Sequence, residues 1–88
     1  MLFKQGQIVA TPGALSLEEQ GVNLLTYLNR HLSGDWGDLD DEDKAENDFS
    51  VKNGFRILSS YNTPLGKLWI ITEAEAVEGM HNRQTCFR

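Results

Sequence analysis

Eight of the thirteen acidic residues in this 88-residue sequence fall between Asp35 and Asp48, in the run Gly34-Asp35-Trp36-Gly37-Asp38-Leu39-Asp40-Asp41-Glu42-Asp43 and on through Glu46 and Asp48. Carboxylates this dense repel one another, so their chemistry is to hold a cation, to serve a small cation-dependent or enzymatic site, or to meet a basic partner. A calcium loop places oxygen ligands at alternating positions, glycine at the sixth and glutamate at the twelfth. Counted from Asp35, the third position is Gly37, the fifth Leu39 and the sixth Asp40; counted from Asp38, Asp43 stands where glycine belongs. The calcium pattern fails. Two or three of these acids suit the first turn of a helix, where each is worth about 0.3–1 kcal/mol at best, and the surplus forms an acidic patch. The contact residues expected for a basic protein surface are Asp35, Trp36, Asp38, Asp40, Asp41, Glu42, Asp43 and Glu46. Trp36, between Gly34 and Gly37, is either a core plug or an interface anchor, with the core favoured in so small a domain.

Other chemistry is harder to assemble. His31 and His81 are the only histidines and Cys86 the only cysteine, and they lack zinc-site spacing. A Cys86–His81 nucleophile pair rests on a cysteine at the chain's end. Ser59, Ser60 and Tyr61 have no nucleophile-elbow pattern, and there is no glycine-rich phosphate loop. No catalytic residue, metal or cofactor is expected from the sequence.

The elements that must position the acidic block are legible on both sides of it. Gln7 to Thr11 reads as a short strand or extended lead-in. Thr11-Pro12 then opens a helix that ends near Gly21, with Thr11 as N-cap and Pro12 at the first helical position. Val22 to Leu32 is an amphipathic helix with Val22, Leu25, Leu28 and Leu32 on its apolar stripe, widened by Leu24 and Tyr27, and Arg30 and His31 as positive charges in the last turn. The acidic block opens a third helix, capped by Asp38 or Asp40, with Ala45 and Phe49 as its apolar pair and Gly54 closing it. Phe55–Tyr61 and Lys67–Thr72 are strands of an antiparallel hairpin with a five-residue loop, Asn62 to Gly66. Arg56 and Lys67 fall nearly opposite each other in that register. Glu73 to Met80 reads as a short helix or loop, and Gln84 to Phe87 supplies a candidate third strand.

The fold expected is α+β: two or three short helices followed by the hairpin, the whole of residues 1–88 forming one domain, with 75–88 its least readable part. The formal net charge of −5 and the scattered Lys and Arg argue against nucleic-acid binding. No apolar stretch approaches a membrane span, and no signal-peptide pattern opens the chain, so the cytoplasm is the expected compartment. A homodimer in which hairpin edges pair is a further expectation.

Gly34-Asp35-Trp36-Gly37-Asp38-Leu39-Asp40, taken with Gly54-Phe55-Arg56-Ile57-Leu58-Ser59-Ser60-Tyr61 and Leu68-Trp69-Ile70-Ile71-Thr72-Glu73-Ala74, resembles a family of short uncharacterised bacterial proteins carried on plasmids and integrated elements. Some members are labelled as related to a type I restriction modification subunit. Gln7 to Leu15 fits the same pattern, so the resemblance runs to about residue 74; the tail from Glu75 to Arg88 departs from it. The resemblance implies an accessory protein of a mobile element and brings no catalytic residue or cofactor with it. A methyltransferase role is not expected, since it needs a cofactor-binding α/β domain, for which these 88 residues have neither the length nor the glycine motif. The function expected is therefore non-enzymatic binding of a macromolecule, with an acidic surface occupying the basic groove of a host-defence or DNA-processing protein.

Overall fold

The computed structural model describes residues 2–75 and 83–88 and runs β1 (Gln7–Ala10), α1 (Pro12–Glu19), α2 (Leu24–Leu32), α3 (Asp41–Asn53), β2 (Ile57–Thr63), β3 (Gly66–Thr72) and β4 (Gln84–Phe87). The class is α+β, with three helices preceding the hairpin. The sheet has four strands, one more than the sequence suggests, in the order β1-β4-β3-β2. β4 pairs antiparallel with β3 and parallel with β1, so Gln7–Ala10 is an edge strand of the sheet and Gln84–Phe87 an inner one. The expected helix or loop from Glu73 to Met80 falls largely outside the described residues.

Local chemistry accounts for the helix ends. Thr11 Oγ1 accepts the Ala14 N–H, Asn23 Oδ1 the Leu25 N–H and Asp40 Oδ1 the Asp43 N–H, each satisfying an orphan donor of a first turn. Gly54, at φ 71°, ends α3 in the left-handed conformation. The hairpin is tighter than expected: Thr63 pairs with Gly66, leaving only Pro64 and Leu65 in the turn. Thr63 Oγ1 makes this work by accepting the Leu65 N–H and donating to the Gly66 carbonyl. Phe55 and Arg56 precede the strand. Lys67 therefore faces Asn62, and Arg56 instead lies 3.5 Å from Glu73.

One sheet face carries the core. Ile57, Ser59 and Tyr61 of β2 lie beside Thr72, Ile70 and Leu68 of β3, and Thr85 and Phe87 of β4 continue the row. α2 covers this face through Leu24, Leu28, His31 and Leu32. Each buried leucine contributes about 1.5–3 kcal/mol. Leu25, expected on the buried stripe, is 64% exposed, while Val22 is buried ahead of the helix. The helix is turned so that His31 points inward.

The reason is a buried polar chain. His31 Nδ1 lies 2.5 Å from Ser59 Oγ and Nε2 lies 2.9 Å from Thr72 Oγ1. Thr72 Oγ1 is 2.7 Å from Thr85 Oγ1, which donates to the Gln5 carbonyl. Since Thr85 spends its only proton on Gln5, Thr72 donates to Thr85 and His31 Nε2–H donates to Thr72. Nδ1 is then the acceptor for Ser59 O–H. Each hydroxyl and ring nitrogen is satisfied in one consistent direction, which is what lets polar groups sit in a core. His31 is thus a neutral core residue and not a helix-end charge. Burial, and after it the nearby Arg83 guanidinium, lowers its pKa to about 4.

Candidate functional site

The acidic block divides into side chains that build the fold and side chains that face water. Asp35 pairs with Arg30 at 2.7 Å, and its other oxygen accepts the Gly37 N–H. The Arg30 contact holds the Asp35 carboxyl below its ordinary range. Arg30 also lies over the Tyr61 ring at 4.7 Å, and Tyr61 O–H donates to the Asp35 carbonyl. Asp38 Oδ2 accepts the Asn62 N–H, Asp40 caps α3, and Asp48 accepts the Trp36 indole N–H at 3.1 Å.

Three residues expected to form the contact are therefore spoken for internally: Asp35, Asp38 and Asp40. Trp36 takes the core position favoured for it, and its place among the contact residues is corrected. It is only 4% exposed, packed near Phe3 and His31, and cannot anchor a partner. Glycines at φ 89° and 76° on either side let the chain fold the indole inward.

Asp38 also helps to finish the edge of the sheet. β2 is an edge of the sheet, and its outward residues are Leu58, Ser60 and Asn62. Asn47 on α3 clamps Leu58 from both sides: its Nδ2 donates to the Leu58 carbonyl at 2.6 Å, and its Oδ1 accepts the Leu58 N–H at 3.2 Å. Ser60 N–H donates to the Trp36 carbonyl, and Asp38 N–H donates to the Ser60 carbonyl at 2.7 Å. Asp38 Oδ2 then takes Asn62 N–H. An open strand edge invites foreign strands, and here side chains and the segment 36–38 close it. Along the outer edge of the hairpin the N–H groups of Leu58, Ser60 and Asn62 and the carbonyls of Leu58 and Ser60 are bonded within the chain. The amide of Asn47 mimics a peptide unit at the right reach, so Asn47→Leu should lower stability by about 2 kcal/mol, read from the denaturation midpoint, because it strands a buried donor and acceptor together.

What remains for a partner is the outer face of α3. Asp41, Glu42, Asp43 and Glu46 are exposed, and none of them is ion-paired among the described residues. Asp41, Glu42 and Asp43 occupy the first turn, where the helix dipole offsets part of their mutual repulsion. Glu42, Glu46 and Phe49 follow at helical spacing on one stripe. Ala45 and Phe49, the apolar pair of this helix, face water; Phe49 is 58% exposed. The buried positions of α3 are instead Asn47 and Ser50, because this helix rests against a strand edge that needs hydrogen bonds. Phe55, 51% exposed just past Gly54, brings its ring to 5.8 Å from that of Phe49. Sequence reasoning missed this aromatic pair. Counting helical positions from the Asp40 cap would have put Phe49 opposite Asn47 and Ser50, but nothing in the pattern says that the polar pair faces inward.

The other chemical candidates do not converge. His31 and Ser59 are fully buried, and Cys86 is half-buried on β4; His81 lies outside the described residues. Among the described residues no three His, Cys, Asp or Glu side chains come together as a metal-binding set. A groove of about 380 Å³ between the α1–α2 connection and the hairpin turn is lined by Tyr27, Val22 and Leu65 but by no carboxylate, histidine or cysteine. No helix among the described residues is long and apolar enough to cross a membrane. Compared with family models, with curated proteins and with solved structures, the chain gives no significant match.

Proposed function

We propose that the protein is a non-enzymatic binding module whose outer α3 face, Asp41, Glu42, Asp43 and Glu46 with Phe49 and Phe55 beside them, docks on a basic surface of another protein. The observation that carries this reading is the juxtaposition of unpaired carboxylates with an exposed aromatic pair. Charges steer the encounter and select the partner, while buried aromatic area supplies most of the affinity. A cationic surface with an apolar recess is the complement. Together with the family resemblance, this favours an acidic accessory protein of a bacterial mobile element that occupies the nucleic-acid groove of a host-defence or DNA-processing protein.

The test is capture of binding proteins from a bacterial lysate at low and high salt. Partners held by this face are released as salt rises, since exposed charges are screened over about 8–10 Å at physiological ionic strength. Phe49→Ser combined with Phe55→Ser should weaken capture by about tenfold or more, as expected for removal of an aromatic anchor. Capture that neither salt nor the double substitution reduces would remove α3 as the contact.

A further inference from the structure

The two edges of the sheet are finished differently. The outward groups of β2 are closed as described above. On β1, Gln7 N–H and Thr11 N–H donate to the Arg83 and Phe87 carbonyls of the neighbouring β4 segment. Bonding alternates along a strand, so Val9 also faces β4, and Ile8 and Ala10 turn their N–H and C=O groups the other way. Among the described residues nothing bonds to those groups, and Ile8 is 44% exposed beside them. No charge interrupts the sequence from Gln5 to Leu17, and neither a bulge nor an edge lysine blunts the strand.

We infer that β1 is a self-pairing edge, joining two copies of this chain antiparallel about a two-fold axis through Val9. Ile8 of one copy then lies opposite Ala10 of the other, and each such pair exchanges both of its backbone hydrogen bonds. Val9 meets Val9 at the axis as a close, non-bonded pair. The register is self-complementary: it sets no like charges opposite one another, because Gln7 to Thr11 carry no charge.

Electrostatics favours this edge over any other for a second copy. The chain carries a net charge of −5, concentrated on α3, which packs at the β2 side. Strands are spaced about 4.8 Å apart, so in the joined sheet the two β2 strands are separated by roughly 34 Å, several screening lengths. Association through α3 or β2 would instead crowd the acids together. The inference stands apart from the proposed function, since α3 stays free in the paired form.

Sedimentation velocity from micromolar to near-millimolar protein, together with amide hydrogen exchange of the unaltered chain, tests it. The expected results are a dimer fraction that rises with concentration and exchange at Ile8 and Ala10 that slows by about tenfold or more as it does. Ile8→Lys, at an exposed position, should weaken self-association at least about tenfold, while Glu42→Lys with Glu46→Lys should leave it intact. A chain that is monomeric throughout overturns the inference. So does a dimer in which the Ile8 and Ala10 amides exchange at the monomer rate; that readout needs no variant and holds even if Ile8→Lys impairs folding.

Discussion

Gly37→Ala should destabilise the protein by on the order of 4 kcal/mol, measured by chemical denaturation. Two costs add. Gly37 sits at φ 76°, a conformation that side chains resist. Its new Cβ would also drive into the Ser60 carbonyl oxygen and lie 2.7 Å from the Tyr61 ring. Both neighbours belong to β2, which is locked into the sheet, so segment 36–38 must move instead. That movement unmakes the Ser60 and Asn62 edge bonds and pulls Trp36 from the core. Gly13→Ala is the matched control. Gly13 lies inside α1 with nothing nearer to its added Cβ than 3.9 Å, so the same substitution should stabilise by about 0.5–1 kcal/mol. Equal effects at the two positions would mean that the edge closure of β2 contributes little.

Stability should fall by roughly 3 kcal/mol between pH 6.5 and pH 4, and His31 should be responsible. In the unfolded chain the imidazole titrates near its ordinary 6.5, whereas in the fold it titrates at about 4. The unfolded state therefore binds the proton first. The contribution of neutral His31 is fully present above pH 6.5, declines as pH falls toward 4, and levels off below that. Protonation is costly because it places a charge in the core, away from water and near the Arg83 guanidinium. Asp35 acts in a separate window: with its pKa lowered by Arg30, its share is lost only as pH falls below the ordinary carboxylate value of 3.8. Denaturant midpoints from pH 7 to pH 4, above the Asp35 window, for the wild type and His31→Leu isolate the histidine. The variant should be less stable at pH 7 and nearly flat across the upper window. A variant with the same slope as the wild type would place the titrating group elsewhere.

The acid response and the glycine response concern features of very different legibility in the sequence. Local rules reached the helix caps: Thr11 with Pro12, Asp40 among the acids, and Gly54 each act through neighbours a few residues away. Hydrophobic alternation reached β2 and β3 but set their turn too long, because Thr63 substitutes its own hydroxyl for loop residues. The pairing of β1 with β4 joins segments more than seventy residues apart, and four-residue strands carry little pattern of their own. The polar groups were the least legible. His31 looked like a helix-end cation because a histidine at that position reads the same whether it points to water or to Ser59 and Thr72. The acidic block looked like one surface because charge density in sequence does not reveal which carboxylates receive a backbone N–H. Asp38 and Asp48 stand ten residues apart and both secure the Trp36 segment, whereas Glu42 and Glu46 lie between them and make no such bond among the described residues.

That division sets the most direct test of the proposed function. Glu42→Lys with Glu46→Lys reverses the outer stripe of α3 while sparing Asp35, Asp38, Asp40, Asp48 and Asn47, so the edge closure and the helix cap persist. Capture from a bacterial lysate is to be quantified at low salt for this variant and the wild type, after far-UV circular dichroism confirms that both are folded. Proteins retained by the wild type in a salt-sensitive manner should fall by at least about tenfold on the variant, as for loss of charge complementarity at a contact. Equal retention of the same proteins by both would contradict the proposed function.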